Sequence, residues 1–206
     1  MATVSAVVAA DPRTADRNPY PAVVMKPLPM PRRFPPFFHR YYPTEHLPEM
    51  PPLSVLILDV NGVFEKARVE PRGIPARKNV PAKAIVVSGE RRAIRCSVRL
   101  DSATPGKGFV VSARFDCFVN DPVVLLQNGC LRATDPLESF LYTLKKLRSE
   151  LTRYQAGELE LVRRELTPVG QAEIDASLPS IPGMRAKPSY ITFDDVVRME
   201  TEVSDD

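Results

Sequence analysis

Residues 92–122 read Arg-Ala-Ile-Arg-Cys-Ser-Val-Arg-Leu-Asp (92–101), Ser-Ala-Thr-Pro-Gly-Lys-Gly (102–108) and Phe-Val-Val-Ser-Ala-Arg-Phe-Asp-Cys-Phe-Val-Asn-Asp-Pro (109–122). Ile94, Cys96, Val98 and Leu100 alternate with Arg95, Ser97, Arg99 and Asp101. Successive strand side chains point to opposite faces, so this period of two predicts a strand with one face on a core and one in water. Phe109, Val111, Ala113, Phe115, Cys117 and Val119 repeat the pattern against a more polar set containing Ser112, Arg114 and Asp116. The segment Thr104–Gly108 is a loop, and the two strands can pair across it as a hairpin.

Upstream, Leu53-Ser-Val-Leu-Ile-Leu-Asp-Val60 is apolar on both parities, as in a strand covered on both faces. Asn61-Gly62 then marks a turn. Ala84–Val87 is a further strand, stopped by Ser88-Gly89-Glu90. Downstream, 121–178 reads as helical. Asp121-Pro122 opens a short segment that ends near Asn128-Gly129. At Asp135-Pro136-Leu137-Glu138, Asp135 can cap, Pro136 suits the first helical position and Glu138 completes a capping box. Leu137, Phe140, Leu141, Leu144, Leu147, Leu151 and Tyr154 then form one apolar stripe, predicting a single helix of about five turns. Gly157 interrupts it, Leu159, Val162 and Leu166 form the next stripe, and Thr167-Pro168 starts another short helix ending near Leu178. Pro179–Pro188 reads as a loop, and Ser189–Val197 returns to β with Tyr190, Ile191, Phe193 and Val196 as its apolar content.

The expected fold class is therefore α+β, a mostly antiparallel sheet with helices packed on one face. An extended Pro-rich arm precedes it. Residues 1–52 hold 12 of the 22 prolines, 6 of the 15 aromatics and both histidines. Proline fixes φ and removes an amide donor, which argues against a helix or a central strand there. The expected divisions are an arm over 1–52, an α+β domain over 53–197 and an acidic tail over 198–206.

The 206 residues carry a net charge of +3, too near zero to force a nucleic-acid partner by electrostatics alone. The charge is uneven: net +5 over 53–129 and −4 over 130–206. Cys96, Cys117 and Cys130 are an odd count with no C-x-x-C spacing, which suits reduced core thiols in a cytoplasmic setting. The N-terminus lacks the basic start and long apolar run of a secretory signal, and no run reaches the roughly 20 apolar residues of a spanning helix. No phosphate-binding loop, dinucleotide fingerprint or nucleophile elbow occurs. His39 and His46 lie in the arm without further metal ligands at a fixed spacing. A Ser or Cys nucleophile would have only those histidines as a base. Asp194 and Asp195, adjacent in a strand, point to opposite faces and do not converge on a cation. The expectation is no enzyme: no catalytic residue, cofactor site or metal site.

The order of elements resembles the SPFH domain (band-7, stomatin/prohibitin/flotillin). The match runs over about residues 80–197. It is carried by Val110–Pro122 as the strand into Asp-Pro, Leu137–Leu151 and Glu158–Leu166 as the helices, and Gly183-Met-Arg185 with Ile191–Val196 as the closing strand. The family's opening Gly-rich strand pair has no counterpart in 53–92, and its long coiled coil none before Asp206. The resemblance implies an oligomeric scaffold, cytoplasmic or peripheral to a membrane.

The most distinctive segment of the arm is Arg32-Arg-Phe-Pro-Pro-Phe-Phe-His-Arg-Tyr-Tyr42, where basic and aromatic residues interleave. Arg32, Arg33, Phe34, Phe37, Phe38, Arg40, Tyr41 and Tyr42 are the candidate partner-binding residues. Pro-rich strings dock into protein grooves at low entropic cost, and aromatics dominate interface hot spots. The expected role is a scaffold or assembly subunit that binds a protein partner or its own copies as a homo-oligomer. An anionic membrane surface is a further contact such a segment could make. The alternative is a nucleic-acid-associated structural protein using the basic β half and the basic-aromatic arm. Arg91, Arg92, Arg95 and Arg99 place positive charge on a strand edge, and the acidic C-terminal half offers a complementary surface.

Overall fold

The computed structural model describes residues 20–33 and 39–198, with 195–198 as backbone only. Its first strands are β1 (Ala22–Leu28), β2 (Arg32–Arg33), β3 (Arg40–Tyr42), β4 (Ser54–Val60), β5 (Val63–Lys66), β6 (Ile74–Ala76) and β7 (Ala82–Ser88). They form an antiparallel sheet of order β1-β7-β4-β5 and a small sheet of order β2-β3-β6. The apolar run on both parities of β4 has the expected consequence. Ile57 enters the main core, while Leu56 and Leu58 enter a second core with Leu28, Tyr42, Ile74 and Val86. Between β4 and β5, Asn61 and Gly62 both take positive φ, 55° and 82°, as a two-residue hairpin turn requires. The Asp59 carboxylate accepts the Gly62 N–H at 2.7 Å and fixes that turn.

The boundary expected at residue 52 is corrected by this arrangement. β1 pairs antiparallel with β7 from Ala22 opposite Val87 to Leu28 opposite Ala82. Tyr20, Ala22, Leu28 and Tyr42 are buried. Residues 20–28 and 39–42 thus belong to the folded body. Proline excludes central strands but not edges, and β1, with Pro27, is an edge strand.

β8 (Arg92–Asp101), β9 (Lys107–Val119) and β10 (Met184–Arg198) form the third sheet, of order β10-β9-β8. β8 and β9 pair as the expected hairpin, from Arg92 opposite Cys117 to Asp101 opposite Gly108. The inward set of both strands, including Ile94, Val98, Phe109 and Phe115, is buried. Among the described residues four helices are present: α1 (Pro122–Gln127), α2 (Thr134–Tyr142), α3 (Lys145–Leu151) and α4 (Leu159–Ala176); α2 and α3 pack on β8 and α4 on β10, while α1 lies against β4 and β5. Asp121 caps α1, its carboxylate accepting from the Val123 and Val124 N–H groups at 3.0 and 3.2 Å. The protein is α+β, with helices on one face of an antiparallel sheet.

Three local expectations change. The five-turn helix is two helices, because Leu144 leaves helical geometry at ψ 84°. The stripe still faces the core: Leu137, Leu141, Leu144, Leu147 and Leu151 are all buried. The start signal also shifts, since the N-cap of α2 is Ala133 rather than Asp135. Finally, Pro168 lies inside α4 rather than starting a new helix. It has no N–H to give the preceding turn, and beside it the Thr167 hydroxyl donates to the Arg163 carbonyl at 2.6 Å. The closing strand begins at Met184, earlier than expected, and carries Pro188 at a shift in its pairing with β9.

Candidate interaction face

The eight arm residues do not form one exposed string. Tyr42 is 1% exposed and its hydroxyl donates to the Val80 carbonyl at 2.8 Å. Burial, and after it the Glu65 carboxylate, holds its phenol above the ordinary range. Tyr42 is therefore a core anchor, which corrects its assignment as a partner contact. Tyr41 and Arg40 are half-buried. Arg32 lies opposite Tyr41 and pairs with Glu45 at 3.1 Å, both side chains in water. Such an exposed pair contributes little to stability. Arg33, exposed, lies opposite Arg40. Phe34, Phe37 and Phe38 fall outside the described residues, as does the tail over 199–206.

The outer face of the β10-β9-β8 sheet carries more. The alternation that sends Cys96 and Ala113 inward sends Arg95, Ser97 and Arg99 of β8, and Ser112, Arg114 and Asp116 of β9, outward. On β10 the outward set includes Arg185, Lys187, Tyr190, Thr192 and Asp194. A polar chain crosses all three strands. The Arg95 guanidinium meets the Asp194 carboxylate at 2.8 Å, which also accepts the Ser112 hydroxyl at 3.0 Å. Ser112, its proton committed, accepts from Ser97 at 2.8 Å. Ser112 is 2% exposed, and this chain satisfies it.

Two aromatic rings stand on the same face, Phe118 at 37% and Tyr190 at 42% exposed. The Arg91 guanidinium sits 5.7 Å from the Phe118 ring centroid, a cation–π distance. Where β10 meets α4, a shallow depression of about 410 Å³ is lined by Arg95, Arg163, Thr167, Tyr190 and Asp194 among others. There Arg163 donates through Nε to the Phe193 carbonyl at 2.8 Å and pairs with Glu160 at 2.7 Å. The arginines of β8 were expected on a solvent face. The aromatics were not, though parity could have found them: Phe118 shares its phase with Arg114 and Asp116.

Cys96 and Cys117 are buried free thiols, pushed by that burial to about 12. Thiols held protonated are poor nucleophiles. Among the described residues no three His, Cys, Asp or Glu side chains gather as metal ligands, and no helix is long and apolar enough to cross a membrane. His46 lies 3.2 Å from the Glu45 carboxylate. No family model matches the chain, and no curated protein matches it either.

Proposed function

We propose that the protein is a non-enzymatic assembly subunit that docks a protein partner on the outer face of the β10-β9-β8 sheet. One observation carries this reading. Among the described residues the sheet has helices on one side only, and its other side presents Phe118 and Tyr190 among Arg95, Arg114 and Lys187. Tyrosine and arginine are over-represented at the energetic centres of interfaces. The charge on this face is mixed: Asp101, Asp116 and Asp194 stand among the basic residues. A mixed pattern suits a protein surface of complementary pattern, whereas a uniform polyanion would meet three carboxylates. An SPFH-like scaffold is one form of this role, supported by the succession of a strand into Asp121-Pro122, helices and a closing strand. Reduced thiols suit a cytoplasmic setting.

The test is affinity capture with the purified chain and its Tyr190→Ala and Arg114→Ala variants, each washed at low and moderate salt. A specific protein, retained through the salt wash and lost with Tyr190→Ala, is the expected result. Recovery of nucleic acid alone, collapsing as salt rises, would replace this reading with the nucleic-acid one.

A further inference from the structure

Sheet edges invite pairing, and proteins block them with prolines, bulges, short strands or covering groups. Among the described residues the edges are blocked with one exception. β1 carries Pro27 and a shift in its pairing with β7. β5 has four residues. In the small sheet, β2 has two and β6 has three. β10 carries Pro188 and two shifts, and Arg163 occupies its Phe193 carbonyl. β8 differs. It runs ten residues without proline, keeps an unbroken register with β9, and among the described residues pairs on one side only, with Lys145 and Arg148 of α3 beside its Asp101 end.

We infer that a second copy of this chain adds to the sheet along the free edge of β8, antiparallel and two-fold symmetric, in the register centred on Val98. Facing residues of an antiparallel pair lie on the same side of the sheet. A symmetric β8 pair must therefore set outward residues against outward ones, which restricts the registers. Centred on Arg95 or Arg99, it sets an arginine against itself. Centred on Ser97, it sets Arg95 against Arg99 twice. Centred on Cys96, it brings no opposite charges together within the strand. Centred on Val98, it places Arg95 of each copy opposite Asp101 of the other, and Ser97 opposite Arg99. On the inner side the same register sets Cys96 against Leu100 and Val98 against Val98, all apolar. Opposite charges face to face stabilise a strand pair and like charges destabilise it. The same two contacts occur twice by symmetry, which closes the assembly as a dimer. The result is one continuous six-stranded sheet whose outer face joins two copies of the Phe118 and Tyr190 surface. The inference goes beyond the docking proposal and does not depend on what binds that face.

The experiment is size-exclusion chromatography with light scattering on the purified full chain, from micromolar to millimolar loading. The expected mass rises toward twice 23.0 kDa. Asp101→Arg sets four arginines in two like-charge pairs and returns the mass to one copy. Ser97→Lys, on the water side, separates the copies by facing Arg99. Circular dichroism of each variant reports that it remains folded. A single-copy mass at every loading overturns the inference. So does an assembly indifferent to both Asp101→Arg and Ser97→Lys, which would leave self-association by another surface.

Discussion

The carboxylate of Glu173, on α4, accepts the backbone N–H of Leu147 at 2.8 Å, and that of Lys146 at 2.9 Å. α3 has no capping side chain of its own, since Leu144 occupies its N-cap. The first N–H groups of a helix lack partners inside it, and a carboxylate there also meets the positive end of the dipole. A residue 26 positions away thus supplies the cap that lets the chain break at Leu144 and restart. Glu173→Ala should destabilise the protein by about 1–2 kcal/mol, the cost of a lost cap. Glu173→Gln, which keeps an acceptor, should lose less. Urea unfolding of the two variants checks the order.

Removing residues 1–52 takes away Tyr20, Ala22, Leu28 and Tyr42, four buried side chains, and leaves β7 without its β1 neighbour. The Tyr20 hydroxyl also donates to the Glu90 carbonyl at 3.0 Å, tying the segment to the start of β8. Deleting even one large buried side chain costs about 2–5 kcal/mol, against a total stability of about 5–15 kcal/mol. The chain 53–206 should therefore show no cooperative urea transition. A sharp transition like that of the full chain would mean that β1 adds little to the fold.

The parts of this fold legible in the sequence are those where one periodicity decides. β8 and β9 alternate cleanly over many residues, so both strands and their buried faces follow from parity alone. The break at Leu144 was hidden because the stripe from Leu137 to Leu151 satisfies the core whether or not the helix is continuous. What breaks it is tertiary: the cap comes from Glu173. Proline misled twice in opposite ways. In the N-terminal segment it suggested an arm where an edge strand sits. At Pro168 it suggested a boundary inside a helix whose packing, through Val162, Leu166 and Ile174, outweighs one missing bond. The open sheet face was half legible. Arg95 and Arg99 follow from parity, but Arg92, expected beside them, stands opposite Cys117 on the inward phase, and Tyr190, read with Ile191 and Phe193 as apolar content, has the opposite parity to theirs.

Three buried acids contribute most to the response to alkali. Burial, then the Cys117 charge, pushes Tyr20 from 10.0 to about 12. Burial, then Glu138, pushes Cys96 from 9.0 to about 12, and burial, then Asp116, does the same to Cys117. Each group loses its proton at lower pH in the unfolded chain than in the folded one. Their contribution to stability is thus complete below about 9 and is lost as pH rises from 9.0 through about 12. Urea midpoints should fall over that window, and Cys96→Ala with Cys117→Ala should flatten the decline. At neutral pH a thiol reagent should modify Cys130 first, since it alone is half-exposed, and reach the other two only on unfolding. Equal rates at all three would contradict the burial of β8 and β9.

Gly183 holds the turn by which β10 enters the sheet beside the start of α1. Its carbonyl accepts the N–H groups of Asn120 and Asp121 at 3.1 and 3.0 Å. Its φ is +80°, and a Cβ placed on it would lie 2.3 Å from the Asp121 carbonyl oxygen and 2.5 Å from the Leu125 nitrogen. Both obstacles are backbone, inside a helix start that Asp121 itself caps, so neither can rotate away. Gly129 has a similar φ of +72°, yet a Cβ there meets nothing within 4 Å. The two positions separate conformational strain from collision. Gly129→Ala should cost about 1 kcal/mol, the price of a left-handed backbone for a side chain. Gly183→Ala adds a clash that only a shift of α1 or β10 relieves, and should cost about 3 kcal/mol or more, at the upper end of single substitutions. Because the shift moves β10 against β9, it should also speed amide exchange at the Met184 end of the strand before the Phe193 end. Equal destabilisation by the two alanines in urea, with uniform exchange along β10, would show that Gly183 is needed for its φ alone.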